Sequence, residues 1–264
     1  WLGSRTSPER GETPPRSATA DSTGDSERPA SSPHRGGTLR LAGLYPFGGL
    51  WDLYPENYPL HQNLVDAVVD KIAYRGMGGD TVPGPVQRWE VSADGLEIAL
   101  VLREEVHFHD HPCLPNGEGR PATAADLAWS LEVARLHAEA AYELDTEAPH
   151  GGLEIRDSRI LRIALRSPWP YMEREFRGIR LLPRELEGCE DPRGMKRLVG
   201  TGAFRLEQVT GQGSVILKRH PGYWGRSAQG LSLPYLDAVM WVPISDFNEL
   251  IQEIHTGGIH LSYA

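Results

Sequence analysis

The chain has 264 residues, 39% hydrophobic and 24% charged, a composition that suits a globular protein of one or two domains. Its formal net charge of -9 argues against a nucleic-acid partner, because a nucleic-acid-binding face needs an excess of Lys and Arg. No apolar run approaches the roughly 18 to 20 residues of a membrane-spanning helix, so the sequence predicts a soluble chain.

The first segment lacks large apolar side chains. Between Leu2 and Leu39 there is no Val, Ile, Leu, Met, Phe, Tyr or Trp, and Ser, Thr, Pro, Gly, Glu and Arg fill the segment. Such a segment cannot bury apolar surface, so residues 1–37 are predicted to be a disordered tail. The tail is either a tether between a membrane anchor or signal segment and the next domain, or an unimportant terminus.

The first strand is predicted for residues 38–44, directly after the Gly36-Gly37 pair that ends the tail. Three aromatic residues follow in a loop punctuated by Gly and Pro, namely Tyr45, Phe47 and Trp51. Aromatic side chains in such a loop either form a wall for a ligand or pin the loop to the core, and the sequence leaves both alternatives open.

A helix and a hairpin are predicted next. The helix is indicated by apolar residues at every fourth position, which are Leu60, Leu64, Val68 and Ile72. Further on, Asp94-Gly95 predicts a tight hairpin turn, because Gly accepts the positive φ that two-residue turns need. The strand after it alternates, and its predicted core face consists of Leu96, Ile98, Leu100 and Leu102.

A second helix is predicted to start near Ala124, because Thr123 and Asp126 stand at capping-box spacing. Its apolar stripe consists of Leu127, Leu131, Ala134 and Ala138. Alternation and turn residues predict strands at 153–157, 159–166, 201–209, 214–219 and 235–243. A last amphipathic helix is predicted with Ser245 as N-cap and Gly257 just past its end, and with an apolar face of Phe247, Leu250, Ile251 and Ile254.

The run from His107 to His111 (HFHDH) is the densest cluster of metal-binding residue types, since imidazole and carboxylate suit Zn or Ni. On a strand, His107 and His109 would share one face and Phe108 the other. The alternative, which the sequence favours, is a strand that ends in a polar loop, so no metal and no cofactor are predicted. A metal-dependent hydrolase built on His107, His109 and His111 remains an alternative.

The sequence contains no G-x-S-x-G nucleophile elbow and no P-loop Lys-Ser/Thr, so the chain is not predicted to be an enzyme. Cys113 and Cys189 are the two cysteines, and their spacing is no metal motif. They form a disulfide if the protein is exported and their Cα atoms lie close, or each is a small buried residue; the sequence leaves this open.

Two groups of motifs carry a family resemblance. From Trp89 onward the chain reads WEVSADGL, LREEVHFHD and PATAADLAWSL, and from Gly200 onward it reads GTGAFRL, LKRHPGYWG and PYLDAVMWVPISD. In this order the motifs closely resemble the bacterial extracellular solute-binding proteins of the peptide/nickel class, family 5. That family supplies the receptors of ABC importers for oligopeptides and dipeptides.

The resemblance implies an α/β fold, a lobe of a periplasmic-binding-protein-like clamshell with mixed sheets flanked by helices. Residues 38–264 would be the amino-terminal lobe, ending at a hinge strand at Ile259–Ala264, and the second lobe would be missing from this chain. The resemblance also places several loops at one edge of the ligand cleft. The ligand-binding residues it implies are Tyr45, Phe47, Trp51, Thr201, Gly202, Ala203 and Tyr263.

The function implied is the substrate-binding component of an ABC transporter, which captures peptides or a similar small solute outside the cytoplasm. Its partner would be an ABC permease in the membrane, and the protein would be a monomer. It would be exported to the periplasm or the cell surface, as a lipoprotein if the tail is a membrane tether. The alternative from another class is the solute-sensing domain of a regulator.

Overall fold

The computed structural model describes residues 33–43, 59–137, 140, 142–189 and 198–263. The strands are β1 (Thr38–Gly43), β2 (Ala73–Arg75), β3 (Thr81–Pro83), β4 (Val86–Val91), β5 (Glu97–Leu102), β6 (Leu153–Ile155), β7 (Ile160–Ala164), β8 (Phe204–Val209), β9 (Val215–Arg219), β10 (Ala238–Pro243) and β11 (Leu261–Tyr263). The helices are α1 (Pro59–Val68), α2 (Ala124–Leu136), α3 (Met172–Glu175) and α4 (Phe247–Thr256), with short 3-10 turns at Pro115–Gly117, Pro149–Gly152 and Arg184–Gly188. Within these ranges, no helix is long and apolar enough to span a lipid bilayer.

The larger sheet has five strands in the order β11-β1-β10-β9-β8. Its first three strands are mutually parallel, with Gly43 at the end of β1 paired to Pro243 on one side and to Tyr263 on the other. β9 runs antiparallel to β10, and β8 runs antiparallel to β9. The sheet is therefore mixed, as the sequence predicts.

The second sheet is antiparallel, with the order β4-β5-β7-β6. The predicted core face of β5 is confirmed for Ile98, Leu100 and Leu102, which are buried, whereas Leu96 precedes the strand and is only partly buried. Val101 on the opposite face is buried as well. The turn before β5 is longer than the predicted two-residue turn. Gly95 does adopt a positive φ of 73°, within a loop of residues 92–96.

α2 begins where the capping residues predict. The Asp126 carboxylate accepts hydrogen bonds from the backbone N–H and the hydroxyl of Thr123, both at 2.8 Å. Asp126 is fully buried, and the guanidinium of Arg120 donates to both of its oxygens while also binding Glu185. Leu127, Leu131 and Ala134 of the predicted stripe are buried, and Ala138 lies outside the described residues.

α4 departs from the prediction at its start. Its N-cap is Asp246 and not Ser245, because the Asp246 carboxylate accepts the hydrogen bond from the N–H of Glu249 at 2.8 Å. Gly257 ends the helix with a φ of 76°, as predicted. The apolar face is only partly buried, since Leu250 packs inside while the other three apolar side chains remain exposed, namely Phe247, Ile251 and Ile254.

One large core joins the two main sheets to α1 and α2. It contains Val68 of α1, Leu131 of α2, Ile163 of β7, and Leu217 and Trp241 of the five-stranded sheet. α1 ends at Val68, four residues earlier than the predicted apolar period, although Ile72 beyond it is fully buried. A smaller cluster between the five-stranded sheet and α4 consists of Ala42, Ile244, Leu250 and Ile259.

Most of the predicted tail, residues 1–32, lies outside the described residues, so its disorder stays a prediction. The ordered lobe begins before the predicted boundary at Thr38. Gly36 donates its N–H to the carbonyl of Tyr235 at 2.8 Å, and Gly37 donates to the Asp237 carboxylate at 3.0 Å. These bonds fix the entry to β1 against the segment that leads into β10.

The two cysteines form a disulfide. Cys113 and Cys189 are bonded with their Cα atoms 5.6 Å apart, and they are 76 residues apart in sequence. The bond joins the loop around the Pro115–Gly117 turn to the end of the Arg184–Gly188 turn. It resolves the alternative that the sequence leaves open.

We expect the double variant Cys113→Ser/Cys189→Ser to lose about 2–5 kcal/mol of unfolding free energy, because the disulfide restricts the unfolded chain across a long loop. Urea denaturation of the oxidised protein and the variant measures this difference. The wild-type protein under reducing conditions serves as the control and should match the variant. Equal stability of the oxidised protein and the variant would contradict the cross-link.

Candidate functional site

The Asp70 side chain, just beyond the end of α1, lies at the centre of a buried polar cluster. It is 2% exposed and accepts hydrogen bonds from the Tyr74 hydroxyl, the Thr201 hydroxyl at 2.9 Å and the Trp224 indole N–H at 2.7 Å. Burial raises the pKa of the Asp70 carboxyl above its usual range, and these hydrogen bonds oppose that shift. The guanidinium of Arg103 covers the Trp224 ring at 5.0 Å.

The predicted ligand-binding segment Thr201–Ala203 packs against the end of α1. The N–H of Gly202 donates to the carbonyl of Val68 at 2.9 Å. A Cβ atom at Gly202 would lie 2.7 Å from the backbone of α1, so glycine is required for this close approach. Thr201 is fully buried by its contact with Asp70. These contacts give the segment a structural role, while contact with a ligand stays a prediction.

A candidate ligand-binding edge lies at the other end of the sheet. The three parallel strands β11, β1 and β10 end together there, at Tyr263, Gly43 and Pro243. Ligands of open α/β sheets bind outside the carboxyl ends of parallel strands. The predicted aromatics Tyr45, Phe47 and Trp51 lie outside the described residues. In sequence they follow Gly43, which is paired with Tyr263.

In the five-stranded sheet, Thr201–Ala203 lie at the opposite end from Gly43 and Tyr263, and the predicted meeting of all seven residues around a ligand stays a prediction. Phe204 at the start of β8 pairs with Arg219, and that end of the sheet corresponds to Thr38 at the start of β1. Thr38 and Gly43 are five residues apart, which at about 3.3 Å per strand residue separates the two ends by about 16 Å. The antiparallel pairing of β9 with β10 causes this reversal.

Trp241 is a candidate residue at this edge that sequence reasoning missed. Its indole lies over Gly43, where an added Cβ would approach the ring to 1.7 Å. Trp241 is 2% exposed, and its indole N–H has no hydrogen-bond partner in the part of the chain that the structure describes. Alternation along β10 could have predicted that Trp241 lies on the core face. Its position beside the end of β1 could not be predicted, because it depends on the pairing of β10 with β1, which the sequence does not reveal.

The histidine cluster does not form a metal site. The His107 ring binds the carbonyl of Glu105 at 3.0 Å, while the His111 ring accepts from the N–H of Cys113 at 3.2 Å. His107 and His109 do not share a face, because His109 is buried together with Phe108 while His107 is exposed. In the part of the chain that the structure describes, no three His, Cys, Asp or Glu side chains are grouped to hold a metal ion.

Residues 80–264 match the model of the bacterial extracellular solute-binding proteins, family 5, in its middle region. The match covers most of the chain, so the chain belongs to this family. This confirms the resemblance carried by the sequence motifs.

Curated relatives include the glutathione-binding protein GsiB of Salmonella typhi, which is 25% identical over 221 residues, 79% of this chain and 39% of the relative. GsiB of Escherichia coli K12 is 23% identical over 185 residues, 67% of this chain and 32% of the relative. The chain therefore spans less than half the length of the curated relatives it matches.

Solved structures with the same fold include DppA of Helicobacter pylori, determined in complex with the peptide STSA. Its TM-score is 0.64 at 21% identity, over 86% of this chain and 46% of that one. Another is the oligopeptide-binding protein AppA of Bacillus subtilis, in complex with a nonapeptide. Its TM-score is 0.65 at 17% identity, over 86% of this chain and 44% of that one. These similarities confirm the lobe fold.

We expect Gly202→Ala to lower the unfolding free energy by about 1–3 kcal/mol, because the new Cβ must displace the end of α1. Gly211→Ala is the matched control, since an added Cβ there meets nothing within 4 Å. Chemical denaturation of both variants measures the difference. If Gly202→Ala were as stable as the control, the close contact with α1 would be refuted.

We expect Trp224→Phe to cost about 1.5–3 kcal/mol, because it removes a hydrogen bond to the buried Asp70 and keeps an aromatic ring. Trp89→Phe is the control, since it removes an indole bond to Glu173 that is exposed to solvent. The control should change the unfolding free energy by about 0.5 kcal/mol or less. Equal losses in the two variants would show that the Asp70 cluster contributes nothing beyond a surface hydrogen bond.

Proposed function

We propose that this chain is part of the substrate-binding component of an ABC importer, and that it captures short peptides or a related small solute outside the cytoplasm. Family membership supports the proposal. So do the names of its relatives, since GsiB is a glutathione-binding protein and glutathione is itself a small peptide. DppA and AppA were both determined with bound peptides.

The observation that carries the proposal is the common edge at which β11, β1 and β10 end. In sequence, the aromatic residues Tyr45, Phe47 and Trp51 follow closely on Gly43, which lies at this edge and is paired with Tyr263. Aromatic side chains supply large apolar area with few rotamers to restrict, which suits a wall against peptide side chains. We place the ligand at this edge, and we assign a supporting role to Thr201, Gly202 and Ala203.

The proposed mechanism is capture between two lobes. Backbone groups at strand ends would hydrogen-bond an extended peptide, and closure of a second lobe would select the bound form for docking on an ABC permease. The receptor would act as a monomer without cofactor or catalytic step.

The disulfide supports an exported location. Disulfides such as Cys113–Cys189 persist in oxidising compartments and are rare in the reducing cytosol. We therefore propose a periplasmic or cell-surface protein. The polar segment before Arg35 would act as its tether to the membrane.

We expect this chain to bind glutathione and mixed di- and tripeptides weakly, with Kd above about 1 μM, because a single lobe encloses less of a ligand than the roughly 70 to 90% that closed pockets bury. Isothermal calorimetry measures the affinity. Trp51→Ala and Tyr263→Ala should each weaken binding at least about threefold, since each removes apolar contact area.

The matched control is Tyr171→Ala, which removes a solvent-exposed tyrosine of the segment before α3 and should leave binding unchanged. Absence of any peptide binding at millimolar concentration would count against a peptide ligand. Submicromolar affinity that is insensitive to Trp51→Ala and Tyr263→Ala would show that the ligand site lies elsewhere.

A further inference from the structure

His109 fastens two distant parts of the lobe. Its backbone N–H donates to the carbonyl of Gly200 at 2.9 Å, and its ring Nε2 binds the carbonyl of Gly202 at 2.9 Å. His220, just after β9, donates its backbone N–H to the carbonyl of Ala203 at 2.9 Å. The two imidazole rings lie against each other, with centroids 4.7 Å apart. Gly200–Ala203 is thus attached to both histidines.

The hydrogen bond to Gly202 defines the protonation state of His109. A carbonyl oxygen only accepts, so Nε2 carries the proton and Nδ1 holds a lone pair. Among the residues that the structure describes, buried Nδ1 of His109 has no hydrogen-bond partner, and neither has buried Nε2 of His220. A proton added to Nδ1 of His109 would therefore be a buried donor without an acceptor, on a ring that is 2% exposed.

The charged groups around the pair do not compensate for such a proton. Arg205 of β8 opposes a positive charge on either ring. His220 opposes it on His109, and His107 opposes it on His220. Asp110 is the carboxylate that favours it, but its Oδ1 already accepts the N–H of Gly119 at 2.7 Å. Burial is the largest cause, and it lowers the pKa of His109 to about 3 and that of His220 below its usual value.

We propose that His109 and His220 form an acid-sensitive latch that fastens Gly200–Ala203 to the loop after β5. At neutral pH both rings are uncharged and the latch is closed. Acid opens it, because a protonated ring is more stable in water than in this pocket. The inference goes beyond the proposed function, and it concerns the support of the lobe whether or not this segment contacts a ligand.

Folding stability should fall as the pH is lowered, because the unfolded chain binds more protons than the folded one. The pKa of His109 in the folded protein, about 3, lies below the ordinary value of 6.5, so the unfolded chain binds the proton more strongly between these pH values. The stabilisation is complete above pH 6.5 and is lost as the pH falls towards 3. Between pH 6 and pH 4, this one group should lower the folding equilibrium constant about 50- to 100-fold.

The test compares urea denaturation at pH 6 and pH 4 for the wild-type chain and for His109→Gln, which does not titrate. From pH 6 to pH 4 the folding constant decreases by some factor in each protein, and this factor should be about 50- to 100-fold smaller for the variant than for the wild type. His255→Gln is the matched control, because His255 is an exposed histidine of α4 that does not act on either ring, and the variant should keep the pH dependence of the wild type. Equal pH dependence in His109→Gln and the wild type would overturn the proposal.

A second measurement decides the matter if His109→Gln does not fold. In an NMR titration of the histidine ring protons of the wild-type chain, one histidine should not titrate above about pH 4, and the folded variant His220→Gln should shift its resonance through the lost ring contact. In hydrogen exchange of the wild type, the protection factor of the Gly202 amide should be lower at pH 4.5 than at pH 7. Titration of every histidine near pH 6.5 would refute the latch.

Discussion

The hydrogen bonds to the buried Asp70 carboxylate join parts of the lobe that are far apart in sequence. Its partners Thr201 and Trp224 are 131 and 154 residues further along the chain. A buried carboxylate is costly unless hydrogen bonds replace the lost water, so each donor stabilises the position of all the others. The end of α1, the start of β8 and the segment after β9 are thereby fixed to one another.

These hydrogen bonds determine which end of the five-stranded sheet is covered by the end of α1 and the segments bound to Asp70. We call it the closed end. The end of α1 contacts Gly202, so it lies at the start of β8, and the strand pairing places that level next to the start of β1. The chain is densely hydrogen-bonded there. The carboxyl ends of β11, β1 and β10 lie at the opposite end and are free of these bonds in the described residues, which is why a ligand site is placed there.

Local patterns in the sequence predicted the elements well, because period and capping depend on neighbours along the chain. The core face of β5, the start of α2 at Thr123 and the end of α4 at Gly257 follow from such patterns. Features that depend on distant partners could not be predicted in this way. The burial of Val101, on the face of β5 opposite Ile98, Leu100 and Leu102, and the partner of the His109 ring are examples. The position of Thr201–Ala203 at the opposite end of the sheet from Gly43 has the same origin, since it depends on the register between β9 and β10.

The segment Gly200–Ala203 is held by hydrogen bonds with an acidic side chain, Asp70, and with a basic side chain, His109. Asp70 binds it through Thr201, and His109 binds it through the carbonyls of Gly200 and Gly202. Burial favours the neutral form of both groups, which raises the pKa of Asp70 and lowers that of His109. The two therefore respond to acid in opposite directions, and protonation of the histidine is the event that puts an unpaired charge into the core. For this reason we expect His109, and not Asp70, to limit the acid stability at the closed end of the sheet, where β1 and β8 start.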